Sequence, residues 1–119
     1  MTRLNIATFR ASFASCEIAL LVDLSTRTVL AADSALRVGQ EYLDTLCATA
    51  CALFTTDATL PPASAIIQAS PSGLRFFLRS PCDPAEALCA IFGATDDLTG
   101  IEAAARPVFE PDEAVAMEG

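Results

Sequence analysis

The stretch QEYLDTLCATACALFT, residues 40–55, predicts a long helix around which the rest of the chain is organised. Apolar residues recur in it at steps of three and four positions, and such positions share one face of a helix. They are Leu43, Leu46, Cys47, Ala50 and Phe54. Because strand-like runs precede and follow this helix, we expect it to lie across the sheet that they form.

The other face of this helix carries almost no charge after Asp44. We assign to that face Tyr42, Ala48, Cys51, Ala52 and Leu53. A surface helix normally presents charged residues on its outer face. We therefore expect the helix to be covered on both sides, by its own sheet and by a second surface.

Five segments have the composition of β-strands. They are CEIALLVDL (16–24), TVLAA (28–32), ASAIIQAS (63–70), LRFFLR (74–79) and ALCAIF (87–92). The first and the fifth are continuously apolar at their centres, which is typical of central strands covered on both faces. The fourth alternates, so Leu74, Phe76 and Leu78 share one face and Arg75, Phe77 and Arg79 share the other.

Two further helices are expected at the ends of the chain. Ile6, Phe9 and Phe13 have helical spacing and predict a short first helix, with a strand over residues 4–8 as the alternative. The resulting order is helix, strand, strand, helix, three strands and helix, which predicts an α+β fold.

The last helix is predicted to be capped by Thr95 or Asp96 and to run to about Arg106. Residues 110–119 contain four acidic and no basic residues, which predicts a flexible or loosely packed tail. We therefore expect one domain over residues 1–109, followed by that tail.

The bulk composition restricts the class of protein. The chain has 119 residues, 53% of them hydrophobic and 18% charged, which predicts one packed globular domain. Its net charge is -8, and all seven basic residues are arginines, so we expect neither a nucleic-acid partner nor attraction to anionic membranes. No apolar run approaches the roughly 20 residues of a membrane span, and Arg10 interrupts any signal-peptide segment. We expect a cytoplasmic protein with no membrane insertion, and the composition is typical of bacterial proteins.

The sequence also argues against an enzyme. It has no His and no Lys, which excludes Ser-His and Cys-His nucleophile pairs, Schiff-base chemistry and a P-loop. The remaining carboxylate pairs are Asp96 with Asp97 and Asp112 with Glu113. Adjacent acids near a helix start are far more often caps than catalysts. Arg75 and Arg79 could bind an anion, but arginines on one strand face are more often solvated or ion-paired.

The five cysteines fit no disulfide framework. They are Cys16, Cys47, Cys51, Cys82 and Cys89. Cys47 and Cys51 share a helix face, as half of a metal site would, but without His or a C-x-x-C pair we favour two small buried hydrophobes. Cys82 lies near Arg79 and is the one candidate nucleophile, a weak one. We expect five reduced thiols, no metal and no cofactor.

This order and these runs resemble the roadblock (dynein light-chain) family over residues 16–106. The matching pieces are ALLVDLSTRTVLAA (19–32), the helix 40–55, SGLRFFLR (72–79) and ALCAIFGATDDLTGIEAAAR (87–106). Leu98, Thr99 and Gly100 stand where the family commonly has a Leu-Gly-like pair, with one residue inserted.

The resemblance implies a three-layer α/β/α fold. Its five-stranded antiparallel sheet has the order 2-1-5-4-3, with the long helix on one face and the terminal helices on the other. It also implies a non-enzymatic homodimer that acts as a scaffold or regulator of small Ras-like GTPases or similar protein partners. The rival hypothesis is a small-molecule sensor of the PAS or GAF kind, which should have a polar-lined pocket inside its core.

In that strand order the third strand is an edge. Natural edges are usually protected by charge, Pro or a bulge, but residues 63–70 contain neither a charged residue nor Pro, and Ile66 and Ile67 point to opposite faces. The bare edge and the uncharged helix face together predict pairing of two copies about a two-fold axis. The predicted interface residues are Tyr42, Cys51, Leu53, Ser64, Ile66, Ile67 and Gln68. The alternative is a monomer whose own terminal segment covers both surfaces.

Overall fold

The computed structural model describes residues 3–35, 37–56, 65–71, 73–80, 83, 85–93 and 100–109. Its elements are α1 (Arg3–Ala11), β1 (Cys16–Asp23), β2 (Thr28–Ser34), α2 (Gln40–Thr56), β3 (Ala65–Ser70), β4 (Gly73–Arg79), β5 (Glu86–Phe92) and α3 (Ile101–Ala105), followed by a 3-10 turn (Arg106–Phe109). The predicted first helix is confirmed, and the strand alternative for residues 4–8 is wrong. The predicted cap of the last helix at Thr95 or Asp96 is wrong, because α3 begins at Ile101 and its N-cap is Gly100, which has a left-handed φ of 81°. The tail 110–119 lies outside the described residues.

The five strands form one antiparallel sheet in the order β2-β1-β5-β4-β3, as the family resemblance implied. The two continuously apolar strands, β1 and β5, lie side by side at its centre. Leu20 pairs with Cys89 and Leu21 with Leu88, and all four side chains are buried. The inference from continuous apolarity to central strands is therefore confirmed.

Helices cover both faces of this sheet. On one face α2 packs through Leu46, Cys47, Ala50 and Phe54, as its periodicity predicted. On the other face lie α1, α3 and the 3-10 turn. The strand residues of the α2 side include Ile18, Leu20, Val22, Phe77, Ala87 and Cys89. Those of the other side include Ala19, Leu21, Phe76, Leu78, Leu88, Ala90 and Phe92. The three-layer α/β/α architecture is confirmed.

Aromatic contacts fix α1 on its face of the sheet. Phe9 and Phe13 lie with ring centroids 5.6 Å apart, and each meets Phe92 of β5 edge-on, at 6.5 Å and 5.7 Å. Edge-to-face rings at these separations are mutually favourable because the positive edge of one ring meets the negative face of the other. The spacing of Phe9 and Phe13 therefore places both rings against Phe92 of the sheet.

The β3–β4 hairpin depends on a close approach at Gly73. A Cβ at this position would lie 2.2 Å from the carbonyl oxygen of Phe92 on the neighbouring strand β5. Only a residue without a side chain allows β4 to start pairing with β5 at this point. Gly73 is thus required by packing between β4 and β5.

Two carboxylates face each other at one end of the central strand pair. Asp23 of β1 is directly opposite Glu86 of β5. Asp23 accepts hydrogen bonds in the β1–β2 turn, chiefly from the Ser25 hydroxyl at 2.6 Å, and this lowers its pKa. Glu86 has the opposite shift, because burial raises its pKa and the nearby Asp83 and Asp23 add to the effect.

We predict that Glu86→Gln removes a pH-dependent destabilisation. A pKa raised in the folded state means that folding disfavours the ionised carboxylate, so the free energy of unfolding falls as pH rises above the ordinary Glu value of 4.5. The melting temperature of the variant minus that of the wild type should therefore increase as pH rises from about 4 to about 8. Thermal unfolding across this pH range measures the difference.

Glu41→Gln is the matched control for that variant. Glu41 is exposed in the first turn of α2, where the helix dipole favours a carboxylate, so its removal should not stabilise the protein at neutral pH. If the melting temperatures of wild type and Glu86→Gln change with pH in parallel, the raised pKa of Glu86 is contradicted.

Candidate protein interface

Strand β3 presents an unprotected sheet edge. Within the described residues it pairs only with β4, and no described strand bonds to its other side. No residue of Ala65–Ser70 is charged, and Ile67 is 56% exposed. The edge strands of proteins that stay monomeric normally carry charges, Pro or bulges. This edge therefore has the chemistry of a strand that accepts another strand.

The opposite edge, β2, is built differently. Its pairing with β1 shifts between Leu21 and Val22, so that Leu30 is an extra residue, a β-bulge. It also carries Asp33, which forms an ion pair with Arg10 of α1. A bulge and a charge are two of the devices that prevent edge-to-edge pairing. Of the two edges, only β3 is left open by these criteria.

The outer face of α2 is lined with small side chains. Thr45, Ala48 and Ala52 are exposed on it. The Thr45 hydroxyl donates to the Glu41 carbonyl at 2.9 Å and the Thr49 hydroxyl donates to the Thr45 carbonyl at 3.0 Å. Because these hydroxyls are satisfied within the helix, a second helix could approach closely without leaving them unpaired.

The predicted interface residues fall into four groups. Tyr42, Ile67 and Gln68 are exposed, with Tyr42 at 40%. Leu53 and Ile66 are half-buried and pack against the α2-side core. The two remaining residues are Ser64, which lies outside the described residues, and Cys51. The interface as a whole stays a prediction.

Cys51 does not lie on the outer face, and that assignment was wrong. Its side chain is 3% exposed, belongs to the core between α2 and the sheet, and its thiol donates to the Leu24 carbonyl at 3.8 Å. The reason is the helix period, which places a residue nearly above the one four positions earlier. Since Cys47 faces the sheet, Cys51 must face it too.

Arg79 has a structural role in holding α2. Its Nη2 donates to the Phe54 carbonyl at 2.6 Å in the last turn of the helix, and its guanidinium lies 5.0 Å from the centroid of the Phe54 ring. A cation at a helix C-terminus satisfies a free carbonyl and complements the dipole. Arg79 is thus engaged with its own chain, whereas Arg75 on the same strand face is exposed.

Arg75 borders a polar groove of about 290 Å³ at the N-terminal end of α2. Glu17, Tyr42, Leu74 and Ile91 also line it. The groove joins the exposed part of α2 to the β3 side of the sheet, because Arg75 pairs in register with Gln68. It extends the candidate interface beyond the residues that the sequence identified.

Among the described residues, no group of three or more His, Cys, Asp or Glu side chains could hold a metal ion. The sequence candidates Cys82, Asp96, Asp97, Asp112 and Glu113 all lie outside the described residues. In that same part of the chain, no helix is long and apolar enough to cross a membrane. The described surface has two features suited to a protein contact, which are the β3 edge and the small exposed side chains of α2.

Comparison with known proteins gives matches in structure alone. No protein-family model and no curated protein matches the sequence. The Roadblock/LC7 domain from Streptomyces avermitilis matches with a TM-score of 0.76 at 11% identity, covering 98% of each chain. MglC from Myxococcus xanthus matches with a TM-score of 0.60 at 12% identity, over 89% of this chain and 91% of MglC. MglB with a tetrameric arrangement matches with 0.68 at 20% identity, over 97% of this chain and 87% of MglB. At these identities, the likeness shows the fold.

We predict that the buried thiols of the native protein resist alkylation. Burial raises the pKa of Cys16 to about 12, and burial followed by the neighbouring Cys51 raises that of Cys47 to about 11. Burial also raises the pKa of Cys89. Only the thiolate reacts, so iodoacetamide near pH 8 should modify these residues far more slowly than in denatured protein, where all five should react. Mass spectrometry of the labelled peptides distinguishes the positions. Rapid labelling of Cys51 in the native protein would contradict its burial between α2 and the sheet.

Proposed function

We propose, from the roadblock fold that this chain has, that it is a non-enzymatic homodimeric scaffold or regulatory protein of the cytoplasm. Its partner is a small Ras-like GTPase or a similar protein. The observation that carries the proposal is the open β3 edge, at which two copies pair strand to strand about a two-fold axis. The resemblance of the sequence to the roadblock family supports the GTPase as the partner class.

The two copies form one continuous sheet across their β3 strands. Such pairing satisfies the unpaired backbone groups of β3 and covers Ile67, the most exposed of its large apolar side chains. A two-fold contact uses the same patch on both copies, so each β3 is both donor and acceptor. One of the similar structures is of MglB in a tetrameric arrangement, which supports self-association.

The interior of the described structure favours an interaction module over a small-molecule sensor. Both faces of the sheet are packed by the chain's own helices, and the two clusters contain apolar side chains and Cys throughout. A sensor binds its ligand among polar groups inside such a core. Native mass spectrometry separates the two hypotheses, because a retained small molecule supports the sensor and a ligand-free dimer mass supports the module.

Substitution of Ile67 by Arg should break the dimer. The guanidinium would be forced into an apolar, strand-paired contact, where an unpaired charge is strongly disfavoured. Light scattering at tens of micromolar, a rough working range for obligate dimers, should give a dimer mass for the wild type and a monomer mass or insoluble protein for the variant. Gln68→Pro, which removes a backbone N–H from the same strand, should have the same effect.

Leu30→Arg is the matched control. Leu30 is an apolar side chain of similar exposure, 45%, but it lies on the bulged β2 edge. The variant should keep the wild-type mass. The interface is wrong if the wild type is monomeric, if Leu30→Arg dissociates it as Ile67→Arg does, or if both β3 variants keep its mass and solubility.

The isolated protein should not hydrolyse GTP or ATP. The absence of His and Lys from the sequence leaves neither the usual base nor a phosphate-binding loop. Phosphate release assays should give the buffer rate, and capture from an extract of the source organism should enrich a Ras-like GTPase in a nucleotide-dependent way. Turnover abolished by a single acidic substitution would contradict the non-enzymatic assignment.

A further inference from the structure

A second groove lies on the sheet face opposite α2. It measures about 230 Å³ and runs between α1 and the segment formed by α3 and the 3-10 turn. Its apolar walls come from Phe9, Ala104 and Val108, and Thr8 and Ser12 form part of its polar rim. This volume is below the range of small-molecule sites, so the groove suits apolar side chains of a peptide segment better than a cofactor.

The C-terminal segment of the chain begins next to this groove. Val108 is one of its walls, and the next residue, Phe109, is buried beside it at 4% exposure. Residues 110–119 follow directly and lie outside the described residues. Their only apolar run is AVAM, residues 114–117, which starts five and ends eight residues after Phe109. At about 3.3 Å per residue that distance spans roughly 16 to 26 Å, which is enough chain to turn back over the groove.

The charges around the groove permit an acidic segment. Residues 110–119 contain four acids and no base, in a chain whose net charge is already -8. The acids next to the walls are neutralised, since Asp33 pairs with Arg10 and Glu102 pairs with Arg106. The tail would therefore meet no unpaired carboxylate on these walls.

We propose that residues 114–117 of the same chain bind in the groove between α1 and the 3-10 turn. A short tether holds them at an effective concentration in the millimolar range, so a contact too weak to form between separate molecules is populated. The side chains of Val115 and Met117 supply the apolar contacts, chiefly to Ala104 and Pro107, the apolar lining residues that keep accessible surface. The site lies on the opposite side of the sheet from α2 and is independent of the proposed dimer interface.

Disulfide trapping in the full chain tests this site. Thr8→Cys is combined with Val115→Cys, and the control combines Thr45→Cys with Val115→Cys. Thr8 and Thr45 are both exposed threonines on helices, but on opposite faces of the sheet. The proposal expects the first pair of introduced thiols to form an intramolecular disulfide several-fold faster than the control pair under mild oxidation, as read by mass spectrometry of the peptides. Equal rates for the two pairs, or bonds between different molecules only, overturn it.

Hydrogen exchange on a second variant keeps the test independent of cysteine chemistry. Val115→Asp places a carboxylate in the apolar run without touching the described fold. Amides of the 3-10 turn and of α1 around Thr8 should exchange faster in this variant than in the wild type, while amides of α2 should be unchanged. Asp112→Asn is the matched control, which removes a charge outside the apolar run and should leave exchange at the groove as in the wild type. Unchanged exchange in Val115→Asp overturns the proposal.

Discussion

Burial of the central strands on both faces is the constraint on which the rest of this structure depends. Leu20 and Leu21 are neighbours on β1, face opposite sides of the sheet, and are both buried. The same is true of Phe76 and Phe77 on β4, each 0% exposed, and burying a side chain of this size stabilises the fold by about 1.5–3 kcal/mol. Two covered faces require two helical layers. The chain provides one long helix for one side and short segments for the other, and the cover ends at β3, where Ile67 is exposed.

The difference between the two sheet edges has a consequence for assembly. A sheet with two open edges can add copies on both sides and grow without limit. Here β2 carries a bulge at Leu30 and the ion-paired Asp33, whereas β3 carries neither a charge nor, in its pairing with β4, a register shift. One competent edge per copy allows a closed pair about a two-fold axis and no further strand addition. In the proposed dimer, this asymmetry lets the apolar β3 edge be covered without further strand addition.

Local periodicity predicted the helices and strands of this protein well. It did not predict which strands lie next to each other in the sheet. The steps of three and four residues located α2 and its sheet-facing side chains, and continuous apolarity located the two central strands. The strand order came from the family resemblance, because alternation along a strand indicates faces and not adjacent strands. The error at Cys51 arose from dividing the helix into two faces by charge alone, since residues 47 and 51 are only about 40° apart around the axis. The bulge at Leu30 could not be predicted, because it depends on the register between two strands.

The polar side chains separate into those that hold the protomer and those that remain open to a partner. Asp23 fixes a turn and Arg79 fixes the end of α2. Tyr42, Gln68 and Arg75 differ from them, because they are exposed and no hydrogen bond of their side chains occurs within the described residues. They lie together on the α2 side of the sheet, since Gln68 and Arg75 are cross-strand neighbours and Tyr42 borders the same groove as Arg75. Tyr and Arg are the residue types that most often dominate binding energy at protein interfaces. The β3 edge and these side chains therefore form one continuous surface, and in the proposed dimer backbone pairing supplies the attachment and the side chains supply the selectivity.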